Sequence, residues 1–258
     1  MLSLEQIQSF YPEGIRTFRT SILREYLQYK ILEAVFRSSY ASRLSFMGGT
    51  CIHLIHGSPR FSEDLDFDND DLTPLEFQNL AWWVENELRL EGYTVELKIT
   101  IKGAYHAYYR FPSILHESGL TGHRTQKLLV PVDTEPQGFS QEKQPAILNK
   151  FDVFCRILTV PLDILLSQKY FCILTRPRPM GRDFYDASFL MGKTKANLDY
   201  MEAKIGASSV SEVRERLVDR CKELDLRKLA ADVEPFMIKP SDVDRVLLFP
   251  ELVLHSLK

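Results

Sequence analysis

The chain has 258 residues, 45% of them hydrophobic and 26% charged, a profile that gives ample material for a core and excludes a disordered protein. Its formal net charge of −3 excludes indiscriminate adsorption to nucleic acid, which depends on neutralising phosphates. Four cysteines without paired spacing exclude a disulfide framework or zinc knuckle; the first twenty residues lack an apolar signal core, and the longest apolar stretch, 153–166, is broken by Arg156, Pro161 and Asp163, so a cytoplasmic protein with no membrane span is expected.

From residue 15 to 43 apolar residues recur at helical spacing, predicting one long helix or two. A short strand follows at 44–47, then the turn Gly48-Gly49, a short helix from Thr50, and a second strand at 65–67. Thr73 and Pro74 open a helix that runs to residue 90. Residues 94–101 alternate polar and apolar with period two, the mark of a half-buried strand, and 105–111 and 127–133 continue a sheet. Pro131 sits awkwardly in the last of these, because proline removes a ladder donor. A polar loop is expected at 136–144, a strand or hairpin arm at 151–160, and a helix from Pro161 to residue 174. After Gly181 the chain reads as helical, at 196–205, 210–226 and 241–257, which predicts a helical C-terminal lobe.

Chemistry concentrates at Asp64 and Asp66. In a strand, residues two apart share a face, so these acids project together while Leu65 and Phe67 face the core. Magnesium takes one or two carboxylates and fills its sphere with water and phosphate oxygens, which suits such a pair. A calcium loop also begins with acids at alternate positions, but Asn69 and Leu75 stand where its glycine and bidentate glutamate belong. Taken alone, the acids equally describe a solvated strand end, and Gly48-Gly49 a plain tight turn. His53 and His56 are expected to pack rather than to bind metal. Arg182 and Asp186 have the spacing of a helical surface pair, and two short basic runs, 122–127 and 176–182, are either nucleic-acid patches or solvated loops.

The order of these residues resembles the AbiEii/AbiGii toxin family within the DNA polymerase β-like nucleotidyltransferases. The first family motif stands complete as Gly48-Gly49-Thr50 and Arg60-Phe-Ser62-Glu-Asp64-Leu-Asp66-Phe67, and the second as Lys169, Arg176 and Arg182-Asp183-Phe-Tyr-Asp186. The resemblance implies an α+β fold, with a polymerase β-like mixed sheet and flanking helices over 1–150. A mainly helical lobe over 151–258 completes a cleft for the nucleoside triphosphate. It implies Mg²⁺ on Asp64, Asp66 and a third carboxylate, matched by Asp133. Gly48, Gly49, Thr50 and Ser62 position the triphosphate; Lys169, Arg176 and Arg182 neutralise it; Arg60 binds phosphate or pairs with Glu63. Asp133 or Asp183 orients or deprotonates the acceptor. The biology implied is a toxin held in check by a protein antitoxin, transferring a nucleotide to RNA, including tRNA. Transfer to a polypeptide, and a catalytically silent nucleotide- or partner-binding protein of the same fold, are the alternatives.

Overall fold

The computed structural model describes residues 1–257. In chain order its elements are α1 (Leu4–Ser9), α2 (Arg19–Arg37), β1 (Leu44–Met47), α3 (Gly48–Leu54), β2 (Leu65–Asn69), α4 (Pro74–Leu90), β3 (Glu96–Lys102), β4 (Ala104–Pro112), α5 (Ile114–Glu117), β5 (Lys127–Thr134), β6 (Gln144–Lys150) and β7 (Val153–Thr159). There follow α6 (Leu162–Thr175), α7 (Gly181–Met191), α8 (Leu198–Ile205), α9 (Val210–Lys222), α10 (Leu226–Val233), α11 (Asp244–Leu247) and α12 (Phe249–Ser256). Two compact units result. The first comprises residues 1–51, 61–138 and 143–159; the second comprises 52–60, 139–142 and 160–258. The chain passes into the second unit after β7, and two short segments, 52–60 and 139–142, also belong to it.

The first unit is built on a seven-stranded mixed sheet of order β3-β4-β5-β2-β1-β7-β6. β1 pairs antiparallel with β2 and parallel with β7, and β2 pairs parallel with β5. Helices α2 and α4 cover one face. Phe67 meets Phe36 of α2, the Tyr109 hydroxyl donates to the Ala81 carbonyl of α4 at 3.1 Å, and Phe77 of α4 packs on Tyr105. Helix α4 starts as the sequence predicts, with Thr73 and Glu76 exchanging the two bonds of a capping box and Pro74 in the first turn.

Two local departures have physical causes. Pro131 lies in β5, an interior strand, but the ladder between β2 and β5 begins only at Leu65 opposite Val132. At Pro131 the strand is therefore paired on the β4 side alone, and the missing N–H costs β2 nothing. Strand β6 lies largely beyond the predicted loop and was not predicted, because its hairpin with β7 turns through Phe151, a residue no turn pattern selects. Phe151 has φ +60°, and the rings of Phe10, Tyr11, Tyr26 and Tyr29 surround it at 5.1–6.1 Å; aromatic packing holds a conformation that glycine or asparagine would ordinarily supply.

The second unit is helical, with α7 packed by α6, α10, α11 and α12. Gly181 opens α7 where the α10 backbone passes so closely that a Cβ would stand 2.7 Å from the Leu229 carbonyl carbon. No described helix is long and apolar enough to cross a membrane.

Candidate active site

In the first unit, the sheet face turned away from α2 and α4 carries the acids. Leu65 and Phe67 are buried on the helix side, so Asp66 between them points to the opposite face, half-exposed. In the ladder between β2 and β5, Asp66 stands directly opposite Asp133, and Asp64 immediately precedes β2. Asp133 is thus brought to the pair although it lies far along the chain. Burial raises the Asp133 carboxyl above its ordinary value, His106 opposes the shift, and the Asp64 charge adds to it.

Gly48 makes this arrangement possible. It follows β1 with φ +77°, and a Cβ there would stand 2.8 Å from the Asp66 Cγ; the position requires glycine both for conformation and for room. Thr50 is fully buried and its hydroxyl donates to the Asp64 carbonyl. Its side chain therefore ties α3 to the segment before β2, leaving backbone amides and Ser62 as the predicted triphosphate contacts at this turn. The Ser62 and Glu63 carbonyls each accept from Gln28 Nε2 at 3.0 Å, and Asn69 Nδ2 donates to the Thr134 hydroxyl at 2.8 Å, pinning β2 to β5 beyond the acids.

Sequence reasoning missed two supports of the site. His106 of β4 lies opposite Asp133, and its Nδ1–H donates to Asp133 Oδ1 at 2.8 Å; only the alternation of β4 signals its direction, and nothing in sequence gives the register. Gln28 was legible only as a polar residue inside an apolar helical stripe.

The donor set at Asp64, Asp66 and Asp133 is all carboxylate oxygen, the chemistry of a hard cation, and the space left by Gly48 keeps Asp66 clear of side-chain atoms there. Among the described residues no group of three or more His, Cys, Asp or Glu side chains is gathered closely enough to hold an ion. The residues fit Mg²⁺ as a partial sphere to be completed by phosphate and water, and do not form the closed cage of calcium or zinc.

The second motif lies in the C-terminal unit and forms a buried ion network. Arg60 Nε donates to Asp186 Oδ1 at 2.7 Å and its Nη2 to Asp186 Oδ2 at 2.6 Å, with the side chains 2% and 0% exposed. Lys169 Nζ stands 2.9 Å from Asp186 and 3.3 Å from Asp183, and Arg176 meets Asp183 Oδ2 at 2.6 Å. Burial alone would raise the Asp186 carboxyl, but Arg60 and Lys169 hold it below its ordinary value. Lys169 is raised despite burial, by Asp186 and then Asp183.

These contacts bear on three expectations. The planar fork of Arg60 is engaged by a bidentate, buried pair with Asp186, while Glu63 pairs with Arg24 at 2.5 Å. Asp186 is fully buried, so it is no surface partner for Arg182. Asp183 is 1% exposed with one oxygen on Lys169 and the other on Arg176, while Asp133 is half-exposed. Arg176 is half-exposed and Arg182 intermediate, on the second residue of α7. His53 Nδ1 bonds the Ser58 carbonyl at 2.7 Å.

The mixed sheet, its facing strand carboxylates and the glycines that open α3 are the arrangement that the resemblance to nucleotidyltransferases implies. The chain belongs to the family of nucleotidyl transferase AbiEii toxins of type IV toxin–antitoxin systems, whose model matches residues 30–247. It is therefore a nucleotidyltransferase toxin, with a nucleotide substrate and an antitoxin partner. Among solved structures it is similar to JHP933 from Helicobacter pylori, at 17% identity over 92% of this chain and 93% of that one, with a TM-score of 0.55. It is also similar to MenT4, the nucleotidyltransferase toxin Rv2826c from Mycobacterium tuberculosis H37Rv, at 14% identity over 99% of this chain and 90% of that one, with a TM-score of 0.56. These two share the fold. No curated protein matches the sequence significantly.

Proposed function

We propose that this chain acts in the cytoplasm, transferring a nucleotide from a nucleoside triphosphate to an RNA acceptor, tRNA included, in a Mg²⁺-dependent reaction that a protein antitoxin restrains. The observation that carries the reading is the register of β2 and β5, which sets Asp66 opposite Asp133 with Asp64 two residues before, all in the unit that holds Gly48. Asp64 and Asp66 would hold Mg²⁺, with Asp133 at its edge. The chemistry Mg²⁺ supplies there when bound is Lewis-acid neutralisation of charge on the phosphoryl oxygens.

The chain's own residues do the rest. Amides of Gly48 and Gly49, with the Ser62 hydroxyl, orient the triphosphate so that its α-phosphorus faces the acceptor. Lys169, Arg176 and Arg182 remain the proposed cations for triphosphate charge; for Lys169 such a role requires release from Asp183 or Asp186. The acceptor hydroxyl oxygen bonds the α-phosphorus, the α–β phosphoanhydride bond breaks, and pyrophosphate leaves. Asp133 takes the hydroxyl proton; a carboxyl raised by burial is a better base than an exposed one, and His106 holds it in place.

The test is incubation of the purified chain with total RNA, Mg²⁺ and each labelled nucleoside triphosphate in turn, beside Asp66→Ala. Label on RNA that disappears in the variant supports the proposal. Label on polypeptide, or none from any triphosphate, overturns it.

A further inference from the structure

Strand β4 carries a column of side chains of which the transferase chemistry uses only His106, the support of Asp133. Tyr105 and Tyr109 take the α4 side of the sheet, so His106, Tyr108 and Arg110 stand on the face that also holds Asp133. The His106 and Tyr108 rings are stacked, 6.2 Å apart with 17° between their planes, and the Arg110 guanidinium lies over the Tyr108 ring at 5.8 Å. At the other end of the column His106 bonds Asp133. Cross-strand register puts Lys98 of β3 and Pro131 of β5 on either side of Tyr108, and Thr100 beside His106. Lys98 is exposed and the other side chains are half-exposed.

Lysines on an outer strand such as β3 discourage edge-to-edge pairing. That explanation does not extend to β4, which is paired on both sides. There an aromatic ring between a guanidinium and an imidazole offers a flat stacking surface bordered by cations. Three cations border the column, Arg110 on β4 itself and Lys98 and Lys102 on the same face of β3, with the Asp133 carboxylate on the β5 side. Glu96, opposite Arg110, is neutralised by Lys127 at 2.6 Å. A single strand of RNA matches such a surface, with bases that stack on the rings and phosphates that meet the cations.

We infer that this face of β3, β4 and β5 is the docking platform for the single-stranded 3′ end of the RNA acceptor. A base stacks on Tyr108 and His106, Lys98 and Arg110 meet the backbone phosphates, and the terminal hydroxyl is led to Asp133. The inference rests on the transferase proposal above and names the surface by which that site takes its substrate. Stacking on a ring tolerates any base, so the platform selects single strands over duplex rather than one sequence.

The experiment is fluorescence anisotropy with a fluorescein-labelled single-stranded RNA of about ten nucleotides, a length within the usual site sizes for such surfaces, across a salt series. Tyr108→Ala is expected to weaken binding about tenfold, the loss of one stacked base, and Tyr108→Phe to retain it. Lys98→Ala with Arg110→Ala is expected to lower the slope of log affinity against log salt by about 1.4, as two phosphate contacts at about 0.7 each require. Triphosphate binding by calorimetry is expected to be unchanged in all three. Equal affinity and equal salt slope in every variant overturns the inference, as does equal affinity for duplex RNA. RNA labelled by the wild type with unaltered binding in the variants removes the platform and leaves the transferase. RNA binding lost in Tyr108→Ala, with no transfer by the wild type, supports the platform and refutes the transferase proposal.

Discussion

Gly48 and Asp66 occupy the same space: a Cβ on the glycine would stand 2.9 Å from the Asp66 Cβ and 2.8 Å from its Cγ, and the glycine backbone has φ +77°. Gly48→Ala therefore meets two penalties, a strained left-handed backbone costing about 1 kcal/mol and a displaced carboxylate. The second matters more for activity, because misplacement of about 1 Å at a reacting centre costs about a hundredfold. Gly48→Ala is expected to unfold at slightly lower urea concentration while losing transferase activity by about two orders of magnitude. A variant with near-normal turnover would show that Asp66 does not need that space.

Asp64, Asp66 and the glycine turn were legible because each depends on local rules: alternation places two acids on one face, and a turn needs glycine. Strand β3 and the capped start of α4 were legible for the same reason. Arg60 was not, because its partner Asp186 is 126 residues away, and no local pattern distinguishes a buried bidentate arginine from one on a phosphate. The i,i+4 spacing of Arg182 and Asp186 pointed to a surface pair that the full burial of Asp186 forbids. His106 escaped notice because its role comes from the register of β4 against β5, which neither strand's sequence states. Asp133 was reached through family resemblance, and the awkward Pro131 beside it made sense only once the ladder from β2 was seen to start one residue later.

The Arg60 and Asp186 pair makes the C-terminal unit sensitive to single truncations. Arg60→Ala leaves Asp186 buried beside Lys169, and breaking such a pair costs about 3–5 kcal/mol. Replacing both partners with apolar residues of similar volume, Arg60→Met with Asp186→Leu, is expected to recover most of that loss, since desolvating two charges is itself costly. Urea unfolding of the two variants beside the wild type measures this directly. A double variant no more stable than Arg60→Ala would show that the ion network, and not its desolvation, dominates.

The same network fixes a pH window. Asp186 lies below its ordinary value of 3.8 in the folded chain, so its contribution is present above that value and is lost as pH falls through the depressed folded value. Lys169 lies above its ordinary 10.5, so its contribution is present below 10.5 and is lost as pH rises through the raised folded value. Asp186→Asn removes the acid limb for this residue. The difference in unfolding free energy between wild type and Asp186→Asn is expected to be flat near neutrality and to shrink on acidification. A difference independent of pH would mean that Asp186 is not held ionised by its neighbours.

Asp64 and Asp133 set function against stability. The Asp64 charge helps to raise the Asp133 carboxyl, so at neutral pH the two acids repel across a partly buried site, a cost the folded chain carries for the sake of the cation they attract. Asp64→Asn keeps the side-chain shape and removes one charge. Its unfolding temperature is expected to equal or exceed that of the wild type, while activity in Mg²⁺ falls at least about a hundredfold because charge stabilisation by the ion is worth several kcal/mol. Added Mg²⁺ is expected to raise the unfolding temperature of the wild type more than that of the variant, since a ligand stabilises only the state it binds. Differential scanning fluorimetry with and without Mg²⁺ separates the effects. An Asp64→Asn protein that is less stable than wild type without the ion, and equally stabilised by it, would assign Asp64 a structural role and move the cation to other ligands.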